Sequence, residues 1–359
     1  MSTETKRPVT DKRKEKPAAG NNGADGVGRQ NAAPKEFEGT TPEVRRELLH
    51  SMLLQRRFEE RCAEAYALGK IGGFCHLYIG QEAISTGVMS MIRPDDYIIT
   101  AYRDHGQAIA RGVSPRSVMA ELFGRATGCS GGKGGSMHIF DSKTNFLGGH
   151  GIVGGHVPIA AGVGFAIKYR RGNQVCICFF GEAAVNIGAF HETLNMASVY
   201  KLPVIFLCEN NRYGMGTAFE RVAAVTDVVE HACSYDMAAE LVNGMDVLAV
   251  YEATRRAAER ARKGGHPTLL EVRTYRFMGH SMSDPLHGVY RTKEEVEEQR
   301  KRDPISQLAG KLKEEGVLDE AGLDALDAEV RAETEDAVRF ADQSPDPDPA
   351  ELTTHVLAD

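Results

Sequence analysis

The chain has 359 residues, enough for one large α/β domain with appendages or for two modest domains. Its 43 Lys and Arg against 50 Asp and Glu give a formal net charge of −7, the opposite of the basic surface that nucleic-acid binding requires. The longest apolar run, roughly 157–167, is far shorter than the ~20 residues that cross a bilayer. The composition therefore predicts a protein without a nucleic-acid partner and without a membrane span.

The seven cysteines are odd in number, and several lie in apolar segments that resemble strands. This pattern predicts buried, reduced thiols and a cytoplasmic location. Residues 1–40 are rich in Lys, Pro, Gly, Asn and Ala and have almost no apolar side chains, so we expect a disordered N-terminal arm. The arm lacks the apolar core of a signal peptide, while an organelle presequence stays open.

The first predicted helix begins at Thr41-Pro42, a capping hydroxyl followed by proline at the first helical position. Apolar residues then recur at helical spacing, and we expect the helix to run to Gly72 and Gly73. A short strand is predicted at 96–100, and Ser114-Pro115 predicts the start of another helix.

A glycine-dense stretch follows at 128–155. So many glycines predict irregular structure that needs something to wrap around. The stretch either lines a ligand entrance or forms a surface loop. The next segment, 157–169, is small and apolar on every side, which predicts a helix buried all round, with a subunit interface supplying part of the burial.

Continuous apolar runs at 174–180 and 202–208 flank a helical stretch at about 188–200. This order is typical of a βαβ unit with parallel strands. We expect further strands at 245–250 and 269–275, with a helix between them. The predicted fold is α/β, with a mostly parallel sheet and helices on both faces.

Polar residues follow the predicted strand ends, namely Glu182, Asn210, Asn211 and His280. Ligands of open α/β sheets bind outside the carboxyl ends of the strands, so one crevice would gather them. Beyond residue 303 the sequence becomes charged and helical. We therefore expect an α/β domain over 41–302 and a helical C-terminal extension over 303–359.

Two of these strand ends suit a metal-bound diphosphate. Gly181-Glu182 opens one loop, and Asn210-Asn211 opens the other, where one asparagine can be a ligand and the other a turn residue. A carboxylate, an amide oxygen and a backbone carbonyl are the hard ligands that Mg²⁺ prefers. A helix opening at about residue 184 would add its N-terminal amides to the anion.

Six polar or glycine-rich segments follow one another along the chain, namely AYRDHG (101–106), GKGGSMH (132–138), GGHGIVGG (148–155), GEAAVN (181–186), KLPVIFLCENNRYGMGT (201–217) and YRFMGHSMSDP (275–285). In this order they resemble the motifs of the alpha subunits of thiamine-diphosphate-dependent 2-oxoacid dehydrogenases, pyruvate dehydrogenase in particular, and the resemblance covers about 41–345. The resemblance implies a thiamine-diphosphate-binding fold with thiamine diphosphate and Mg²⁺ as cofactors.

The resemblance also implies a role for particular residues. The implied metal ligands are Glu182, Asn211 and the carbonyl of Tyr213. The implied contacts on the diphosphate side are Tyr102, Arg103, His280, Gly181, Ala183 and Ala184, and those at the aminopyrimidine are Gly151 and Val153. His280 and, less directly, His105 are the implied catalytic histidines. Ser281 resembles a regulatory phosphorylation position.

The activity implied is oxidative decarboxylation of pyruvate with transfer of the acetyl group to a lipoyl carrier. The implied partners are a separate beta subunit, in an assembly of two alpha and two beta chains, and a lipoyl-bearing acyltransferase core. Branched-chain 2-oxoacid and acetoin dehydrogenases stay open as alternatives. A non-catalytic scaffold also stays open, because Glu182 and Ala183 depart from the Asp and Gly of the family motif.

Overall fold

The computed structural model describes residues 40–285, 288–354 and 356. The predicted N-terminal arm therefore lies, apart from Thr40, outside the described residues. The helices are α1 (Pro42–Ala67), α2 (Glu82–Met89), α3 (His105–Arg111), α4 (Pro115–Leu122), α5 (Val157–Tyr169), α6 (Gly188–Val199), α7 (Val247–Gly264), α8 (Lys293–Arg300), α9 (Pro304–Glu314) and α10 (Glu320–Gln343). The strands are β1 (Tyr97–Ala101), β2 (Phe146–His150), β3 (Cys176–Gly181), β4 (Val204–Asn210), β5 (Tyr213–Gly214), β6 (Thr217–Ala218), β7 (Ala238–Asn243) and β8 (Thr268–Arg273).

The main sheet has the strand order β2-β1-β3-β4-β8-β7, and every neighbouring pair is parallel. Its centre is β3 beside β4, the two continuous apolar runs, and all seven residues of β4 are buried. Such runs are typical of strands covered on both faces. Strands β5 and β6 form a separate antiparallel pair.

Successive side chains of a strand point to opposite faces, and the core divides accordingly. Ile177 and Phe179 pack in the larger cluster, which also contains residues of α1 and α7. Cys178 and Phe180 pack in a second cluster with residues of α5 and α6. Helices therefore cover both faces of the sheet, as the sequence predicted.

The C-terminal helices pack against the α/β core. Helix α10 contacts α1 and α4, and α9 contacts α1. Ala337 and Ala341 of α10 are fully buried within the larger core cluster. Leu326 and Val330 of α10 are buried as well, so an apolar stripe of this helix faces the core.

Two expected boundaries were wrong. Helix α1 begins at the predicted cap, where the Thr41 hydroxyl accepts from the Val44 N–H, but it ends at Ala67 rather than at the glycines further on. The strand expected at 245–250 is instead the start of α7, which the Asp246 carboxylate caps. The strand beside β8 lies just upstream, because the half-polar β7 at the sheet edge has no continuous apolar run.

The glycine-dense stretch contains regular structure that the sequence did not predict. Strand β2 forms the edge of the sheet beside β1, since neighbouring glycines leave its backbone free to pair. The helix expected to open at about 184 is a 3-10 turn, Glu182–Asn186, and α6 begins only at Gly188.

Helix α5 has the predicted bounds, but in the single chain it is buried on one face only. Ile159, Phe165 and Tyr169 are exposed in this chain, and their burial against another subunit stays a prediction. All seven cysteines carry free thiols, and five of them are buried. Within 40–285, 288–354 and 356, the structure has no helix both long and apolar enough to cross a membrane.

Candidate active site

The polar residues that follow the parallel strands meet at one edge of the sheet. Tyr102 and Arg103 follow β1, Glu182 follows β3, Asn211 follows β4, and the turn to His280 follows β8. Parallel strands end at the same edge, so the chain order places these side chains together.

The two halves of the predicted metal motif are in contact. The backbone N–H of Asn211 donates to Oε2 of Glu182 at 3.3 Å. A Cβ on Gly214 would lie 2.8 Å from the Cβ of Ala183, so only glycine lets β5 approach this turn so closely. Strand β5, which begins at Tyr213, therefore lies against the turn that carries Glu182 and Ala183.

The paired asparagines have different surroundings. Nδ2 of Asn210 donates to Glu271 at 2.8 Å, and Oδ1 of Asn210 accepts from the N–H of Arg212 at 3.1 Å. Its amide is therefore used to shape the turn. The Asn211 amide is less firmly held, with contacts of 3.3 Å to Gln81 and 3.4 Å to the N–H of Tyr213.

The loop after β2 forms a third wall. Gly154 has φ +71°, and a Cβ there would lie 2.0 Å from the Ile187 side chain and 3.6 Å from the Cβ of Ala184. The loop that carries Gly151 and the exposed Val153 is thus pressed against the turn after β3. These predicted cofactor contacts belong to the same crevice.

The rings of His76, Tyr102 and His280 form a cluster at the end of β1. The rings of His76 and Tyr102 are 4.6 Å apart, and those of His76 and His280 are 5.1 Å apart. The guanidinium of Arg103 donates to the carbonyls of Leu77 and His280, both at 2.7 Å. Arg103 therefore ties the end of β1 to the loop of His280.

Four buried side chains around the crevice have polar atoms without a hydrogen-bond partner among the described residues. These atoms are Oε1 of Glu182, Nε2 of Gln81, Nδ1 of His76, and Nε and Nη1 of Arg276. An unpaired polar atom in the interior costs free energy, so such a group of them marks a place where a ligand completes the bonding.

Sequence reasoning missed Gln81, His76 and Arg276. Arg276 is 1% exposed, and its Nη2 donates to the carbonyl of Met215 at 3.2 Å. The sequence did contain a signal for it: a lone arginine inside the apolar run after β8, where an unpaired cation is expensive.

The electrostatics of the crevice favour an anion. Burial, together with the charge of Arg276, lowers the pKa of Arg103 to about 10. Burial and these two arginines lower the pKa of His280 to about 3, so the imidazole is neutral at pH 7. Burial raises the pKa of Glu182 above its ordinary value, which opposes an unneutralised carboxylate there.

His105 has a different place from the one expected of a catalytic group. It is fully buried, with Nδ1 3.0 Å from Glu59 and Nε2 2.8 Å from the hydroxyl of Ser136. Both ring nitrogens therefore have partners in the interior. Its catalytic role stays a prediction, and the geometry favours a supporting role behind the site.

The departure from the family motif is accommodated in the backbone. Ala183 is not among the non-glycine residues with positive φ, so an alanine fits this turn without strain. Gly181 is extended, with φ −83° and ψ 160°. The longer Glu182 side chain is 1% exposed and points into the interior beside β4.

The chain is similar to known proteins over most of its length. A family model described as "Dehydrogenase E1 component" matches residues 50–350. A protein of Rickettsia bellii is 47% identical over 305 residues, which are 85% of this chain and 93% of that protein. One of Rhizobium meliloti is 47% identical over 331 residues, 90% of this chain and 94% of that protein.

A third relative, from Zymomonas mobilis, is 47% identical over 313 residues, which are 87% of this chain and 88% of that protein. All three are named pyruvate dehydrogenase E1 component subunit alpha. The family model alone spans well over half of the chain. The chain therefore belongs to the dehydrogenase E1 component family.

Proposed function

We propose that this chain is the alpha subunit of a thiamine-diphosphate-dependent pyruvate dehydrogenase, which decarboxylates pyruvate and passes the acetyl group to a lipoyl carrier. The observation that carries the proposal is the set of unpaired buried polar atoms at the shared edge of the parallel strands. Membership of the E1 component family and the names of the relatives support the same activity.

The donors and the carboxylate of the crevice fit a metal diphosphate better than either part alone. Nε2 of Gln81 and the guanidinium of Arg276 offer N–H groups to an anion. The free oxygen of Glu182 would repel that anion unless a cation lay between them. A divalent metal bound to both satisfies the whole set, and Mg²⁺ suits these oxygen ligands.

In this proposal Glu182, Asn211 and the carbonyl of Tyr213 hold Mg²⁺. The diphosphate side contacts are Tyr102, Arg103, Gly181, Ala183, Ala184 and His280. Gly151 and Val153 lie against the aminopyrimidine. Bound thiamine diphosphate supplies the carbon nucleophile and the electron sink that decarboxylation of a 2-oxoacid requires.

The chain itself binds and orients the cofactor. The neutral imidazole of His280 stands beside Tyr102, where it can donate or accept one hydrogen bond without repelling Arg103. His105 holds Ser136 through its ring nitrogen and so steadies the wall of the site. The remaining half of the cofactor cleft comes from a beta subunit.

The exposed apolar face of α5 supports obligate association. Ile159, Phe165 and Tyr169 are 47%, 52% and 82% exposed, and grouped exposed apolar side chains are typical of protein–protein contact surfaces. We assign this face to a subunit interface within an assembly of two alpha and two beta chains. That assembly would act in the cytoplasm, where its free thiols stay reduced, with a lipoyl-bearing acyltransferase core.

The rival activities receive less support. The relatives reported above are named for pyruvate, and none of these three for a branched-chain 2-oxoacid or for acetoin. A scaffold without a cofactor has no need of a buried carboxylate and a buried guanidinium that each keep polar atoms without a hydrogen-bond partner among the described residues.

The test is a decarboxylation assay with pyruvate, branched-chain 2-oxoacids and acetoin, comparing the alpha chain alone with the alpha chain plus its beta chain. We expect activity only from the pair, only with thiamine diphosphate and Mg²⁺, and fastest with pyruvate. Substantial turnover by the alpha chain alone, or cofactor-independent behaviour of the pair, contradicts the proposal.

A further inference from the structure

The glycine-rich loop that precedes the site is built around one carboxylate. Glu121 lies in the last turn of α4 and is fully buried. Its Oε2 accepts the N–H groups of Ser130 and Gly132 at 2.8 and 2.9 Å. Its Oε1 accepts those of Gly134 and Gly135 at 2.7 and 3.2 Å.

Four backbone N–H groups that donate to the Glu121 carboxylate compensate for the unfavourable position of this charge. A carboxylate in the last turn of a helix faces the negative end of the helix dipole, and burial removes the water that would solvate it. Convergent amide hydrogens supply the missing positive charge. The loop and Glu121 therefore depend on each other.

The glycines of the loop are those that this arrangement requires. A Cβ on Gly128 would lie 2.3 Å from Oε2 of Glu121, so no larger residue fits beside the carboxylate. Gly132 and Gly135 have φ +76° and +60°, the left-handed region that turns successive N–H groups inward. The carboxylate is the object around which the glycine-dense segment wraps.

The end of the loop forms part of the site wall. The hydroxyl of Ser136 contacts His105 at 2.8 Å and accepts the backbone N–H of His76 at 3.3 Å. A Cβ on Gly151 would lie 3.1 Å from Cε of Met137 and 3.2 Å from Cε1 of His138. Displacement of the loop would therefore move the surface behind Gly151.

The outer face of the loop has separate anchors. The N–H of Ala126 donates to the carbonyl of Pro345 at 3.0 Å, and the hydroxyl of Thr127 donates to that of Ser344 at 2.6 Å. The loop thus stays attached to the C-terminal segment when its inner hydrogen bonds are changed.

We propose that Glu121 is a positioning residue: its carboxylate holds the glycine-rich loop so that Ser136, Met137 and His138 keep the wall behind Gly151 in the shape that the cofactor needs. The inference rests on the proposed function, because it assigns that wall to the thiamine diphosphate site. Glu121 itself touches neither substrate nor cofactor.

The experiment compares Glu121→Gln with the parent chain in the reconstituted alpha and beta pair. Glutamine replaces one acceptor by an NH₂ group that faces backbone donors, so two N–H groups lose their partner. We expect KM for thiamine diphosphate to rise on the order of tenfold while kcat changes less than about twofold, which corresponds to about 1.4 kcal/mol of lost binding.

Hydrogen exchange of the alpha chain without cofactor gives a second readout. Amides at 130–135 should lose protection in Glu121→Gln, and Glu121→Asp, which keeps the charge with a shorter reach, should be intermediate in both measurements. The matched control is Asp96→Asn. Asp96 is also buried and accepts the N–H groups of Arg93 and Val175 at 2.7 and 2.8 Å, but it lies at the opposite edge of the sheet.

Loss of loop protection together with a raised KM supports the proposal, provided that Asp96→Asn changes neither. Unchanged protection in Glu121→Gln overturns it, and so does lost protection with an unchanged KM. If Glu121→Gln fails to fold, the same criteria apply to Glu121→Asp. Failure of the proposed function is distinguishable, because it would appear as a parent pair that does not need thiamine diphosphate.

Discussion

Two buried glutamates of this chain have opposite surroundings. The carboxylate of Glu121 accepts four backbone N–H groups, two on each oxygen. The carboxylate of Glu182 accepts a single N–H at 3.3 Å, and its Oε1 has no partner in the part of the chain that the structure describes. We infer that the first residue supports the fold and that the second binds the ligand proposed above.

The arginines beside the crevice repeat the contrast. Arg103 donates to two backbone carbonyls at 2.7 Å, whereas Nη2 of Arg276 donates to one carbonyl at 3.2 Å, and Nε and Nη1 of Arg276 have no partner among the residues that the structure describes. Buried polar groups in folded proteins are nearly always paired, so unpaired ones are informative. Burial alone does not separate supporting residues from binding residues; the number of satisfied atoms does.

The largest effect is expected at Glu182. Glu182→Gln removes the charge that holds the metal, so we expect binding of Mg²⁺ and thiamine diphosphate to weaken by roughly a hundredfold or more. Glu182→Asp should retain much of the binding, because it keeps the carboxylate. Calorimetric titration of the reconstituted pair measures both.

The same substitution tests the contrast in the unliganded chain. Replacing an unsatisfied buried charge by a neutral amide should leave the melting temperature unchanged or raise it. Glu121→Gln should lower the melting temperature, because it leaves backbone N–H groups that the carboxylate had accepted without a partner. If Glu182→Gln binds metal and cofactor as tightly as the parent, Glu182 is not a ligand and the scaffold alternative gains support.

Arg276 should show a smaller effect of the same kind. Arg276→Met removes an unpaired buried cation, so we expect roughly tenfold weaker cofactor binding without a loss of thermal stability of the unliganded chain. Arg262→Met is the control, because Arg262 pairs with the buried Asp96 at 2.6 Å. Arg262→Met should lower the melting temperature and leave cofactor binding intact. Weaker cofactor binding in Arg262→Met, or a lower melting temperature in Arg276→Met, would contradict the distinction between supporting and binding arginines.

A still smaller effect is expected in the loop at about 277–291, of which Leu286 and His287 lie outside the described residues. Ser281 is buried and lies 3.0 Å from the Ser283 hydroxyl. We expect the cofactor to order this loop, so limited proteolysis should cut it faster without thiamine diphosphate and Mg²⁺. Equal cutting in both states would argue against this.

Charge at Ser281 is expected to work against that ordering. A phosphate on this residue would repel the diphosphate nearby, so Ser281→Glu should weaken cofactor binding and reduce the protection. Ser283→Glu is the matched control, because Ser283 is exposed. Similar effects of the two substitutions on cofactor binding would mean that a charge at position 281 acts no differently from a charge elsewhere in the loop.

The smallest effect is expected at His156, which is intermediate between residues with all polar atoms paired and residues with unpaired ones. Its Nε2 contacts the carbonyl of Phe179 at 2.7 Å, whereas its Nδ1 is unpaired within the described residues. Burial lowers the pKa of His156 to about 4. The unfolded chain binds this proton near pH 6.5, so stability should fall as the pH drops from about 6.5 to about 4, and only part of that loss lies between pH 7 and pH 5.

His156→Gln removes the titrating ring and keeps an N–H that can reach the carbonyl of Phe179. Its melting temperature should therefore decline less between pH 7 and pH 5 than that of the parent. Parallel curves for the two proteins would show that His156 does not contribute to the acid sensitivity. Thermal unfolding in buffers of equal ionic strength gives the comparison.

The sequence by itself determined the parts of the molecule that depend on neighbouring residues. Thr41-Pro42 and Ser114-Pro115 begin helices where predicted, because proline in the first turn presets its own backbone angle, and Thr41 adds a side-chain cap that Ser114 does not make. The apolar runs at β3 and β4 identified the parallel strands and, through them, the position of Glu182 and Asn211 at strand ends. Periodicity and chain order are local properties.

Tertiary structure decided what depends on residues far apart in the chain. Strand β2 is a strand because β1 lies beside it, and no apolar run marks it in the sequence. In the sequence, Glu121 does not differ from an acidic residue on the surface of a helix. Only the folded chain brings four backbone N–H groups to its carboxylate. Arg276 differs from other arginines because two of its buried nitrogens have no partner among the described residues. This can be known only from the folded structure, because the surrounding chain must first exclude water from the side chain.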